Sequence, residues 1–240
     1  MANRVFIAGA SGVIGLPLCR LLVEDGWQVC GMTRTPGKVA LLRSLGVRPV
    51  LVDAFDAQAL HAAVAQAQPD VVVHQLTDLP DALDPAQMMD AIVRNARMRE
   101  LGTRHLLHAA IDARATRFVA QSIAFAYAPQ PLPYVEHSPL NVAAPGGAGI
   151  SARAVASLER QVLEAPLEGI VLRLGRLYGP GSGLDAPPRG GPVHVEAAAD
   201  ATRRALTRGR PGLYNIAEAD GAVDSRKAAL ELQWRAQFRC

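Results

Sequence analysis

Six short runs dominated by β-branched and other apolar residues recur along the chain: RVFIAG (4–9), WQVCGMT (27–33), RPVLVD (48–53), DVVVHQL (70–76), RFVAQSI (117–123) and GIVLRLG (169–175). Each is separated from the next by a stretch able to form a helix. Near-continuous apolar strands alternating with helices predict an α/β protein, a doubly wound parallel sheet covered on both faces. The first helix carries an apolar stripe, Ile14, Leu18, Leu21 and Leu22, closed by EDG at 24–26, with Pro17 tolerated because it lies near the start. A long helix is predicted over 85–112, with Met89, Ile92, Val93, Ala96, Thr103, Leu107 and Ala110 on one side. Two Pro/Gly-rich segments, 128–149 and 178–192, follow the fifth and sixth strands and predict irregular loops at the carboxyl edge of the sheet, where open α/β sheets bind ligands.

Composition narrows the picture. The 240 residues are half apolar and one fifth charged, and no window approaches the ~18 uninterrupted apolar residues of a membrane span. One domain is expected over 1–240, a dinucleotide-binding core at 1–178 with a short substrate-side extension at 179–240. The N-terminus does not read as a secretory signal, and Cys19, Cys30 and Cys240 form no C-x-x-C pair; a reduced, cytoplasmic protein is expected. Lys and Arg outnumber Asp and Glu by 25 to 22. The basic residues after 203 are scattered without aromatic platforms, so no nucleic-acid surface is expected.

The chemistry begins at GASGVIG (9–15), directly after the first strand. Gly9 permits the tight turn, Gly12 lets backbone amides approach a pyrophosphate, and Gly15 allows the helix to pack closely on the sheet. The helix N-terminus offers unpaired amides and the positive end of its dipole. Ser11, Val13 and Ile14 complete the expected loop contacts.

The spacing G-x-x-G-x-x-G, with LVDAFD (51–56), GTRHLLHAA (102–110), RFVAQSIAFAY (117–127), LRLGRLYGPG (172–181), VHVEAAADA (193–201) and the closing LYNIAEADG (213–221), resembles the extended or atypical short-chain dehydrogenase/reductases, the NAD(P)-dependent epimerase/dehydratase family. The resemblance implies a Rossmann-type fold, a pyridine dinucleotide and a small-molecule carbonyl or alcohol substrate. An NAD-preferring member would place an acid at the end of the second strand, but here stands Thr33, followed by Arg34 with Lys38 near. A guanidinium pairs with a 2′-phosphate, so NADP is favoured over NAD. The resemblance puts Asp53, with Ala54 beside it, at the adenine, and Gln75, Leu76 and Thr77 along the cofactor; His74 also reads as a buried, hydrogen-bonded histidine.

The family's acid/base is a Tyr with a Lys four residues on. Aligning Glu159 with the family's Glu puts Ser151 in the place of the Tyr and Val155 in that of the Lys, and no Y-x-x-x-K occurs elsewhere. Ser122 matches the family's hydroxyl position, and Tyr127 offers a substitute phenol; Tyr134 in the following loop is the other candidate. Tyr178 and His194 read as packing and structural residues. His105 and His108 share a helix face without a third ligand, and no metal site is expected. Two readings stay open: an NADP-dependent oxidoreductase using Ser122 and Tyr127, and a catalytically silent NADP(H)-binding sensor. The long helix is compatible with a homodimer.

Overall fold

The computed structural model describes residues 3–79 and 88–239. Seven parallel strands form one sheet in the order β3-β2-β1-β4-β5-β6-β9: β1 (Arg4–Ala8), β2 (Gln28–Thr33), β3 (Arg48–Leu51), β4 (Val71–His74), β5 (Arg117–Ile123), β6 (Glu168–Leu174) and β9 (Gly212–Ile216). The six runs read from the sequence are six of these strands. The seventh, β9, pairs with β6 from Ile170↔Gly212 to Leu174↔Ile216. A separate pair, β7 (Arg176–Tyr178) and β8 (Pro192–His194), brackets the second Pro/Gly-rich segment, whose end residues are thus extended.

Helices cover both faces, as near-continuously apolar strands demand. On one side α1 (Gly15–Glu24) and α7 (Val195–Ala205) pack with α2 (Val39–Ser44) around Val5, Ile7, Leu18, Leu22 and Leu42. On the other, α3 (Ala57–Ala67), α5 (Thr103–Asp112) and α6 (Gly146–Glu164) close over Phe6, Val72, Phe118, Leu106 and Leu158. Each fully buried Leu or Phe contributes about 2 kcal/mol of hydrophobic free energy, so the two layers are what hold the strand ends in register.

The predicted long helix is α4 (Met88–Arg97), a π turn (Met98–Gly102) and α5; residues 85–87 of the prediction lie outside the described residues. The wide turn shifts the buried stripe. Ala91, Asn95, Met98, Arg99, Gly102 and Thr103 face inward, while Met89 and Val93, expected inside, are exposed. Helix α6 begins at Gly146, inside the segment read as loop to 149. No helix among the described residues is long and apolar enough to cross a membrane.

The chain turns from one half of the sheet to the other between β1 and β4, whose last pair is Ala8↔His74. This switch point opens a crevice at the carboxyl edge, the position at which doubly wound sheets take ligands.

Candidate cofactor and substrate cleft

The first wall of the crevice is backbone. Gly9 leaves β1 at φ +92°, and a Cβ there would stand 2.6 Å from the Gln75 carbonyl oxygen. Only glycine fits both the left-handed turn and that approach. A Cβ at Gly15 would collide with the carbonyl oxygens of Gly9 and Ala10, so the loop lies directly on the helix. The Gly12 amide returns to the Gly9 carbonyl at 3.1 Å. No side chain caps α1, and no acid occupies its first turn. The end of the helix therefore presents amides and positive dipole to an incoming anion. This bare cradle is the feature that fits a dinucleotide diphosphate. Among the other loop residues Ile14 is buried, Val13 is exposed, and Ser11 shares a 2.8 Å hydroxyl hydrogen bond with Thr33.

The adenosine end is arranged around β2 and β3. Thr33 is buried and its hydroxyl also accepts from the Thr35 amide at 3.2 Å. Arg34 is half exposed and pairs with Asp78 at 2.8 Å, while Arg94 stands 3.8 Å from the other carboxylate oxygen. The hydrogen bond that Arg34 donates to Asp78 holds the guanidinium above its ordinary pKa. Lys38 is exposed on a single turn of 3-10 helix. Asp53 folds its carboxylate back onto the Phe55 amide at 2.9 Å, and the buried Ala54 accepts from His105 Nδ1 at 3.0 Å. His105 is thereby tied to the backbone, and no cluster of three or more metal-ligating side chains exists among the described residues.

Along β4 the sequence-predicted lining residues follow one another out of the core. Gln75 is buried and its amide nitrogen donates to Thr202 of α7 at 3.1 Å, Leu76 is half-buried, and Thr77 is exposed. His74 is 1 % exposed. Its Nδ1 accepts from the Leu76 amide at 3.2 Å, so the ring proton sits on Nε2 and is donated to Thr103 at 2.9 Å. Burial, with the Arg99 charge nearby, pushes its pKa down to about 4; it is a neutral structural histidine.

Neither hydroxyl expected to be catalytic offers a proton to the cleft. Ser122 is 1 % exposed and donates to Glu159 at 2.8 Å. Glu159 is also held by Arg173, from Nη2 at 2.6 Å and Nε at 2.8 Å, so Ser122 belongs to a buried polar brace between β5, α6 and β6. Tyr127 donates to Asn215 at 2.6 Å. Its ring stacks on Tyr134 with centroids 4.9 Å apart, and the Arg173 guanidinium lies 4.9 Å over it. Burial raises its pKa. In this structure the two hydroxyls are hydrogen-bonded inward, Ser122 to Glu159 and Tyr127 to Asn215. Where the resemblance called for a Lys, Val155 is fully buried in an apolar cluster with Ile123, Ala126 and Ala152. Tyr178 donates to Glu218 at 2.7 Å and packs edge-on to His194, whose Nδ1 caps α7 at the Glu196 amide.

Arg99 was not among the expected site residues. It lies on the π turn, 8 % exposed, and burial pushes its pKa down to about 10. A signal existed: it falls three residues after Ala96 and four before Thr103, on the stripe assigned to the core.

The model of the NAD dependent epimerase/dehydratase family matches residues 5–191. A Streptomyces protein described as 3-diazoavenalumate denitrifying reductase is 43 % identical over 230 residues, covering 95 % of this chain and 72 % of that protein. Among solved structures, UDP-glucose 4-epimerase of Thermotoga maritima superposes with a TM-score of 0.77 at 18 % identity, over 98 % of this chain and 94 % of the other. The NAD complex of UDP-glucose 4-epimerase from Thermus thermophilus gives 0.76 at 20 % identity, over 99 % and 95 %. These structural likenesses carry the fold.

Proposed function

The chain belongs to the NAD-dependent epimerase/dehydratase family, and from that premise we propose that it is an NADPH-dependent reductase whose acceptor needs no acid/base pair, a diazo-bearing carboxylate. The observation that carries the proposal is the pairing of an intact dinucleotide cradle with Ser151 and a buried Val155, packed with Ile123 and Ala152, at the positions where the resemblance calls for a Tyr and a Lys. Reduction of a carbonyl leaves an alkoxide that must be protonated. When bound, the dinucleotide supplies a hydride, and for a diazonium acceptor the balance is R–N₂⁺ plus NADPH giving R–H, N₂ and NADP⁺. No oxyanion arises, so no side chain has to deliver a proton to oxygen. The 43 % identical relative, a reductase described as denitrifying a diazo compound, supports this acceptor class.

This chain's residues have three tasks in that reaction. Gly9, Gly12, Gly15 and the open end of α1 hold the diphosphate. Thr33 leaves the ribose pocket without a carboxylate on β2, and Arg34 favours the phosphorylated ribose. The Ser122–Glu159–Arg173 brace fixes α6 and so keeps Val155 and Ile123 packed in their apolar cluster between β5 and α6. Nothing in the comparisons supports the silent-sensor reading.

The test is consumption of reduced dinucleotide, above the rate without protein, with 4-carboxybenzenediazonium and with a panel of carbonyl compounds. The expected result is N₂ release and turnover with the diazonium salt, retained in Ser122→Ala, and none with carbonyls. Turnover on a carbonyl that disappears in Tyr127→Phe overturns the proposal. NADPH is expected to bind more tightly than NADH, with the preference lost in Arg34→Ala.

A further inference from the structure

Arg99 belongs neither to the glycine cradle nor to the Ser122–Glu159–Arg173 brace. Its place follows from two hydrogen bonds. His74, the last residue of β4, bonds Thr103. The helix crosses back antiparallel to the strands, so residues earlier in it lie nearer the carboxyl edge. Arg99, four residues before Thr103, is therefore about one helical turn beyond the strand end. From the other side, Glu159 of α6 bonds Ser122 near the end of β5. The His74 ring feels the charge of Arg99, and Arg99 feels that of Glu159. The guanidinium thus stands between the ends of β4 and β5, at the crevice, and Val155 is one turn of α6 nearer that edge than Glu159.

Charge decides what it can do there. Glu159 already receives two hydrogen bonds from Arg173 and one from Ser122. His74 is neutral. Among the described residues Arg99 makes no ion pair, and the described groups at this edge, Arg99 and Arg173 against Glu159, sum to one positive charge. Burying an unmatched cation costs several kcal/mol, and a fold keeps one where a ligand supplies the anion. The π turn presents it: Gly102 leaves room for the Met98 sulfur, which a Cβ would meet at 2.6 Å, and such turns are frequent at functional sites.

We propose that Arg99 anchors a carboxylate of the substrate at the carboxyl edge between β4 and β5. A guanidinium matches a carboxylate with two parallel hydrogen bonds, and Ile123, Ala152 and Val155, clustered where β5 meets α6, the helix packed against the π turn, suit an apolar body attached to it. The inference deepens the reductase reading, but its readout is binding, so failure to turn over a diazo compound leaves it standing.

Benzoate and its neutral counterpart benzamide serve as probes, titrated calorimetrically into the full chain saturated with NADPH. Benzoate is expected to bind at least about tenfold more tightly than benzamide, to weaken about 30-fold or more in Arg99→Met, and to recover part of that loss in Arg99→Lys. NADPH affinity is expected to stay unchanged in both variants. If Arg99→Met instead weakens NADPH and spares benzoate, the anion at this guanidinium is a cofactor phosphate and the proposal fails. It fails equally if wild-type protein does not distinguish benzoate from benzamide, a comparison that needs no variant to fold.

Discussion

The two ends of the crevice are made of different material. At the β1–α1 end the wall is main chain, and Gly9 and Gly15 are there because a single Cβ would strike carbonyl oxygens. At the α6 end the material is side chain: Ser151 and Val155 stand where the resemblance calls for a Tyr and a Lys, Val155 packs with Ile123 and Ala152, and the Ser122–Glu159–Arg173 brace ties the helix to β5 and β6. A site built from backbone tolerates no substitution and stays recognisable. A site built from side chains changes its chemistry without moving the frame. The difference separates holding a dinucleotide from choosing what receives its hydride.

The sharpest way to break this comparison is to remove the frame. Glu159→Ala leaves the Arg173 guanidinium buried without its partner and the Ser122 hydroxyl without its acceptor, and is expected to cost about 3–5 kcal/mol. Urea midpoints against wild type measure it. Ser122→Ala, which removes one hydrogen bond and leaves the ion pair, is expected to cost about 1–2 kcal/mol. A loss below 1 kcal/mol in Glu159→Ala would mean that α6 is held by its apolar face alone.

His74, bonded to Thr103, links the fold's stability to pH. Its folded pKa, about 4, lies below the ordinary 6.5, so between these values the unfolded chain binds the extra proton. Stability is then complete above about pH 6.5, falls as the pH drops, and levels off below about 4, for a total near 3 kcal/mol at most. Substituting His74→Asn should flatten that acid limb when midpoints are followed from pH 7 to 4, and an unchanged slope would assign the limb to carboxylates elsewhere.

What could be read from the sequence divides along the same line. The six apolar runs became six strands because a buried parallel strand needs little but β-branched bulk. The seventh, GLYNI, escaped because Tyr214 and Asn215 look polar; Asn215 is buried only because its side chain accepts from Tyr127 and donates to the backbone of Tyr134 and Asp224. The glycine cradle was visible since steric exclusion leaves a residue type behind. The fate of Tyr127 was not, since its hydroxyl partner lies 88 residues away. Arg99 was overlooked for another reason: its spacing puts it on the core stripe, but an arginine reads as solvent-facing by residue type, and its burial shows only in the packed fold.

At the backbone end, Gly15→Ala is expected to cost about 1–3 kcal/mol of stability, the usual range for forcing a methyl into packed structure, and to weaken NADPH about 100-fold, because the loop must retreat from the helix that supplies its amides. Gly12→Ala, whose Cβ would stand 3.3 Å from the Gly9 carbonyl, should perturb stability less. Comparable losses in the two variants would show that the cradle is looser than its contacts imply.

The smallest effect discriminates most finely between the ends. Tyr127→Phe removes one hydrogen bond to Asn215 and keeps the ring on Tyr134 and under Arg173. The Asn215 oxygen loses its donor, so a destabilisation of about 1 kcal/mol is expected, with the stacking preserved. Because burial raises the phenol's pKa and its proton is directed at Asn215 rather than the cleft, turnover of the diazonium probe should be unchanged across pH 6 to 9 once the variant's folded fraction is matched. A pH-rate profile that loses a limb in Tyr127→Phe would place a working acid at the α6 end after all, and the contrast between a backbone wall that grips the cofactor and a side-chain wall without an acid would fail at its second term.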